Sequence, residues 1–358
     1  MPRHVAGIDL GGTKIQGVVL DHSAELLGRA VAGTPAEGGP LAVAERVAAV
    51  AVAAARSAGA TAEEIAAVGI GSAGQVDVAA GVVVQAANLP GFDRPVPLAE
   101  LVAGALGLDP GAVALDNDVN VATLAEHRLG AGRGFDDLLA VFVGTGVGGA
   151  VVLDGQLRRG PRGVAGEIGH IVVVDGGDPC PCGRRGCTEA YAGRAPMEWA
   201  VQAALAGGRP TELVAIQRRL GRSRLTTEVL VEGLAAGDAL AGELVDRAAR
   251  ALGAAIASAA NLLDVQAVLI GGGLADALGD AFARRVEAAA APHLLADEPP
   301  LQVRQTELGD LAGAVGAALL VHEASSLSEA LDPASSALPP KPRVPGAPAH
   351  PGLSLRDP

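Results

Sequence analysis

His4-Val5-Ala6-Gly7-Ile8-Asp9-Leu10-Gly11-Gly12-Thr13-Lys14-Ile15-Gln16-Gly17-Val18-Val19-Leu20 decides how the rest of the chain is read. Residues 4–10 read as a buried strand, Gly11-Gly12-Thr13 as a turn, and residues 15–20 as the strand returning beside the first. The unit recurs further on. Residues 138–143 read as a strand, Gly144-Thr145-Gly146 as a turn, and 149–153 as the return. Two copies of one strand–glycine turn–strand unit predict two related halves facing each other. Strands at 68–72, 82–85 and 113–115 alternate with helices at 41–57, 98–106 and 119–129, an α/β pattern. Helices at about 195–206 and 238–262 follow, then a strand at 265–270 that enters Gly271-Gly272-Gly273 and a further helix. The last helix is expected at about 311–324.

The two glycine turns are candidate phosphate loops. Glycines let backbone N–H groups approach phosphate oxygens and form anion-binding nests. Thr13 and Thr145 add hydroxyl donors, and Asp9 can hold Mg²⁺ through water. A tight hairpin turn is the plain alternative for each. Gly144-x-Gly146-x-x-Gly149 also matches the dinucleotide fingerprint, which requires a helix after the glycines. Ala150-Val151-Val152-Leu153 reads as a strand, so the match is accidental. Gly271-Gly272-Gly273, between strand and helix, lets adenosine or its phosphates come close.

The chain has three cysteines, all in Cys180-Pro181-Cys182-Gly183-Arg184-Arg185-Gly186-Cys187, ten residues after Glu167-Ile168-Gly169-His170. Three thiols and one imidazole are a standard structural zinc set. Gly183 and Gly186 let the chain turn sharply enough to bring Cys187 back to the same ion. A disulfide would leave one thiol unpaired and needs an oxidising compartment, and Met1 to Val5 opens with no secretory h-region. Glu167 and Glu189 bracket the cluster and are expected to be shielded from solvent by it. Two acids and a histidine held around one spot suit a polyhydroxylated ligand.

Composition narrows the function classes. A hydrophobic fraction of 49% with 2% aromatics requires Ala, Val and Leu to fill the core. Mean hydropathy is +0.35, yet charges or glycines interrupt the apolar stretches before about 18 residues, so no membrane span is expected. A net charge of −13 argues against a nucleic-acid partner and fits a cytoplasmic protein. Only Lys14 and Lys341 are lysines, which singles out Lys14 in its glycine turn. Residues 332–358 are rich in Pro, Ala and Ser and read as a disordered tail.

Taken together these motifs resemble the ROK family (repressors, open reading frames and kinases) of the sugar kinase–actin superfamily. The resemblance covers roughly residues 4–325 and also rests on Asn88-Leu89-Pro90-Gly91, Asn117-Asp118-Val119-Asn120 and the run from Gly163 to His170. It implies a two-lobed actin-like (ribonuclease H-like) ATPase fold with an interlobe cleft. The small lobe would span 1–117, with a C-terminal helix at about 308–325 returning to it, and the larger lobe 118–307.

The resemblance also implies roles. Asp118 matches the catalytic base, Asn88, Asn117, Asp118, Glu167, His170 and Glu189 the sugar contacts, and His170, Cys180, Cys182 and Cys187 the zinc ligands. Asp9, Gly11, Gly12, Thr13, Lys14, Gly144, Thr145, Gly146, Gly271, Gly272 and Gly273 would serve ATP and Mg²⁺. On the residues alone, Asp116, Asn117 or Asp118 can cap the helix that follows, and Asn88 can be a turn residue before Pro90-Gly91. His4, His22, His127, His293, His322 and His350 read as structural or surface residues. Two departures from the family pattern stand out: Gly71-Ser72-Ala73-Gly74 replaces a Pro-Gly pair in the sugar loop, and Ala150 replaces a glycine.

The expected activity is ATP-dependent phosphorylation of a hexose, glucose to glucose 6-phosphate, by a homo-oligomer (dimer or tetramer). Kinases for N-acetylmannosamine, N-acetylglucosamine or fructose are the near alternatives. A sugar-responsive repressor is disfavoured because Asp9 opens the phosphate loop with no room for a helix-turn-helix before it. A non-catalytic sensor is disfavoured by the presence of Asp118. Polyphosphate-using relatives generally lack the cysteine cluster, which favours ATP as donor.

Overall fold

The computed structural model describes residues 4–296 and 298–330, with 323–330 by backbone alone. The proline-rich stretch at 332–358, with Lys341 and His350, lies outside the described residues.

Chain order begins with β1 (His4–Leu10), β2 (Lys14–Leu20), β3 (Leu26–Gly33), α1 (Gly39–Ser57) and β4 (Ile65–Ser72). A small hairpin of β5 (Gln75–Asp77) and β6 (Val82–Gln85) follows, then α2 (Leu98–Leu106), β7 (Val113–Asn117) and α3 (Asp118–Leu129). The second half opens with β8 (Leu138–Val143), β9 (Val147–Leu153) and β10 (Gln156–Arg158). A helical stretch comes next: α4 (Glu189–Ala192), α5 (Arg194–Ala206), α6 (Leu213–Arg219), α7 (Thr227–Ala235) and α8 (Ala239–Leu263). The chain continues through β11 (Ala267–Gly271), α9 (Gly273–Leu278), α10 (Asp280–Ala290), β12 (Gln302–Gln305) and α11 (Ala312–Ala330).

Two five-stranded sheets result, ordered β3-β2-β1-β4-β7 and β10-β9-β8-β11-β12. They are built alike. In each, an antiparallel meander supplies three strands, and two parallel strands are added beside the first. The repeat read from the two glycine turns is therefore a repeat of whole sheets. Residues 147–153 form a strand, so no helix follows the Gly144 motif and the dinucleotide reading fails as expected.

Packing follows the composition. One face of the first sheet buries Ile8, Leu10 and Ile70 against Val43, Val47 and Val50 of α1 and Val102 of α2. Its other face buries Val5, Val18 and Ala67 against Ala122 and Ala125 of α3 and Ala314 and Ala318 of α11. Val141 and Ile270 of the second sheet join Leu252 and Ile256 of α8 in the other large core. Alanine supplies much of this, so helices come close to strands. An added Cβ at Gly69 would lie 1.7 Å from the carbonyl oxygen of Ala317, and one at Gly316 would lie 1.7 Å from that of Val121. These positions have to be glycine, because α11 touches the sheet and α3 by backbone.

α3 joins the two halves. It packs on β4 and β7 of the first sheet and on β9 of the second. At its far end Glu126 is fully buried, and its carboxylate accepts from the amides of Ala131 (3.0 Å), Glu307 (3.0 Å) and Leu308 (2.7 Å). Among the described residues no helix is long and apolar enough to cross a membrane.

Candidate active site

The junction of β7 and α3 carries Asp116-Asn117-Asp118, and each residue has a separate task. Asn117 caps the helix: its Oδ1 accepts from Val119 N (2.9 Å) and Asn120 N (3.3 Å), while its Nδ2 donates to Gly74 O (3.1 Å). Asp116 is fully buried and accepts from Asn120 Nδ2 (2.8 Å) and from Arg159 Nε (2.6 Å). Asp118 is half-buried, and its Oδ1 shares the Val119 amide with Asn117 (2.9 Å). Burial pushes its carboxyl up to about 6, with Asp9 adding to the rise.

Two cavities meet at this junction. One, of about 700 Å³, is lined by Asn117, Asn120, Glu167, His170, Arg162 and Arg184 among others. The other, of about 220 Å³, holds Asp9, Lys14, Asp118, Gly272, Gly273 and Asp310. Asp118 thus faces one space while the adjacent Asn117 lines the other. In the smaller cavity burial also pushes Asp9 up to about 6, opposed by Lys14 and reinforced by Asp310. Lys14 Nζ pairs with Asp310 at 3.4 Å. Asp276 lies there too, its carboxyl raised mainly by burial, 3.4 Å from the Thr306 hydroxyl.

The two glycine turns are short and internally closed. Gly11 N donates to Lys14 O (3.0 Å), and the Thr34 hydroxyl donates to Gly11 O (2.7 Å). Gly144 N donates to Gly146 O (2.9 Å), and Val147 N donates to Glu189 Oε2 (2.9 Å). Gly11, Gly12, Thr13, Gly144, Thr145, Gly146 and Gly271 do not line either cavity, and neither do Asn88 and Glu189. Asn88 is exposed and packs against Gly12, where an added Cβ would come within 2.7 Å of its own.

The thiol cluster assembles. One ligand atom from each of His170, Cys180, Cys182 and Cys187 lies within 4.8 Å of the others. Cys182 and Cys187 sulfurs are 3.8 Å apart, and Cys180 Sγ is 3.9 Å from His170 Nδ1. Sulfur and nitrogen ligands at about 2.0–2.3 Å in a tetrahedron stand roughly 3.3–3.8 Å apart, so the set fits a tetrahedral ion with little adjustment. Gly183 and Gly186 adopt φ of 85° and 76°, the left-handed turns that return Cys187 to the group.

His170 belongs to both places. Its Nδ1 faces Cys180, and its Nε2 is 3.9 Å from Glu167 on the cavity side. Glu167 corrects one expectation: its side chain is 52% exposed, because the carboxylate points into the open cavity and is not covered by the thiol loop. Glu189 is half-buried, and its Oε1 stands 3.6 Å from Cys180 Sγ. It therefore ties the thiol loop to the start of β9.

Several residues of the site carried no signal in the sequence. Arg159 holds Asp116, Arg194 donates to the Thr145 hydroxyl (2.7 Å), and Asp276, Thr306 and Asp310 join the smaller cavity. Two histidines outside the cluster hold backbone carbonyls. His127 Nε2 meets Phe135 O, and His322 Nε2 meets His22 O, each at 2.9 Å.

Residues 5–324 match the model of the ROK family. The chain belongs to the ROK family. It is 35% identical to a glucokinase of Streptomyces coelicolor over 320 residues, 88% of this chain and 97% of that one. It is 32% identical to an N-acetylmannosamine kinase of Escherichia fergusonii, over 88% of this chain and 97% of that one. The crystal structure of a ROK family glucokinase from Streptomyces griseus, in complex with glucose and AMPPNP, superposes with a TM-score of 0.74 at 35% identity. That match covers 89% of this chain and 99% of the other. The paired sheets are thus the actin-like ATPase fold of ROK sugar kinases, as the sequence resemblance implied.

Proposed function

We propose that this ROK protein is an ATP-dependent hexose kinase of the glucokinase type, phosphorylating glucose to glucose 6-phosphate. The observation that carries the reading is Asp118, half-buried where the two cavities meet. A sugar hydroxyl is a poor nucleophile, and a carboxylate within reach can accept its proton as the hydroxyl attacks the γ-phosphorus. A carboxyl raised to about 6 is a stronger base than an ordinary aspartate and is still ionised at neutral pH.

In this reading the larger cavity takes the sugar. Asn117, Glu167 and His170 line it, and together they offer donors and acceptors to several ring hydroxyls. Asn88 and Glu189 act from its edges, Glu189 by holding the thiol loop in place. The smaller cavity takes the nucleotide phosphates, with the Asp9 to Lys14 and Gly144 to Gly146 turns and Gly271 to Gly273 supplying backbone approach. Asp9, Asp118, Asp276 and Asp310 face a single lysine there, so a triphosphate needs a counter-charge. Mg²⁺ would supply that neutralisation, and Asp9 would be among the residues that hold it.

His170, Cys180, Cys182 and Cys187 would hold zinc. Four protein ligands close the shell, so its task is to fix the segment between Glu167 and Glu189. The division into a lobe of 1–117 completed by the last helix and a lobe of 118–307, a cytoplasmic location, and a dimer or tetramer belong to the same proposal, on the family relationship.

A coupled ADP-release assay across hexoses and N-acetylhexosamines tests the reading. Turnover with glucose well above the rest supports it. Preference for N-acetylmannosamine replaces it with the specificity of the second relative, and no ADP release with any sugar would favour a sensor.

A further inference from the structure

The Gly144-Thr145-Gly146 turn is gripped from behind by the start of α5. Arg194 N donates to Gly144 O and Ala195 N to Thr145 O, both at 3.1 Å. These are first-turn amides that a helix leaves without partners of its own. The Arg194 side chain grips again: Nη2 donates to Thr145 Oγ1 at 2.7 Å and Nη1 to Leu225 O at 2.9 Å. The second bond anchors the guanidinium to the segment ahead of α7, so its position is fixed from two sides.

The donor count decides the consequence. A guanidinium can only donate, and a hydroxyl has one proton and two lone pairs. With Arg194 on a lone pair, the Thr145 proton cannot be spent on Arg194. Thr145 is exposed, so that proton is available to a group on the solvent side, away from the arginine. We infer that Arg194 is a positioning residue that sets Thr145 as a hydrogen-bond donor to a phosphate oxygen of the nucleotide. It also places a fixed positive charge one group behind that contact. This rests on the reading of the turn as a phosphate loop. Lysine cannot substitute fully, because a point charge does not reach both Thr145 and Leu225 in one plane.

The test is a double-mutant cycle read by steady-state kinetics, with Arg194→Met, Arg194→Lys, Thr145→Val, Thr145→Ser and the Met/Val double variant. Arg194→Met and Thr145→Val should each raise the KM for ATP about tenfold, the worth of a hydrogen bond to a charged group, with the sugar KM little changed. The double variant should be no worse than Thr145→Val alone. Thr145→Ser, which keeps the hydroxyl, should raise the ATP KM less than Thr145→Val, and Arg194→Lys should fall between wild type and Arg194→Met. Additive effects in the double variant would overturn the proposal, as would equal rises in both KM values together with a lowered melting temperature. If the wild type turns over no sugar, the kinase reading fails by itself. Calorimetric binding of AMPPNP to the same variants then reads the Arg194–Thr145 coupling directly, and an unaltered Kd in all of them overturns it.

Discussion

Asn117 and Asp118 are neighbours in the chain and serve different spaces. Asn117 caps α3 with the Val119 and Asn120 amides on its Oδ1, while Asp118 shares the Val119 amide through Oδ1 and still faces the smaller cavity. The sequence could limit the cap to three residues, but which one took it depended on the exit angle of β7. Asp118→Asn should keep sugar binding and lose turnover by about 10²–10⁴-fold. Calorimetry with glucose beside ADP release checks it, and near-normal turnover in a folded variant would remove Asp118 as the base. Its pH dependence has a defined sign. The base works ionised and its carboxyl is raised to about 6, so kcat/KM should fall as pH drops through about 6. Asp9, also at about 6, faces it, so the acid limb belongs to the pair. A profile flat down to about pH 5 would contradict the burial argument.

At the scale of elements, the thiol loop was legible and its connections were not. Cys180, Cys182 and Cys187 lie within eight residues, so ligand type and spacing sufficed. The two glycine turns were legible for the same reason, since each lies between strands that pair directly. Partners distant in sequence left no trace. Arg194 and Thr145 are 49 residues apart, Arg159 and Asp116 are 43, and Glu126 and Glu307 are 181. Exposure of Glu167 was misjudged because proximity to a cluster in sequence does not say which way a carboxylate points. The loop's link to Glu189 gives an expectation. Cys182→Ser should lower zinc content and raise the sugar KM about tenfold, since ordering the segment is then repeated at each binding event. The ATP KM should change less. Metal analysis beside kinetics decides, and a zinc-free wild-type protein with full activity would sink the role given to the ion.

Over the whole molecule, the doubling of the sheet was readable from two short hairpins, and the return of the last helix to the first sheet was implied by the family resemblance alone, whereas the joining of the two sheets through α3 was a matter of tertiary packing. The close approach of α11 makes a stability prediction. Gly316→Ala places a methyl against the backbone of Val121 and should cost about 1–3 kcal/mol or more. A melting curve reads it, and an unchanged midpoint would mean that α11 shifts freely. The same helix bears on how the protein is made. Val5, Val18 and Ala67 are synthesised early in this stretch of chain and α3 follows soon after, but the second helix that covers them begins only at Ala312. At roughly 5–20 residues per second, the part of that face that α11 covers stays bare for about 15–60 s. The first sheet is thus synthesised long before the helix that completes it, and a chaperone that shelters apolar surface during translation has its target there.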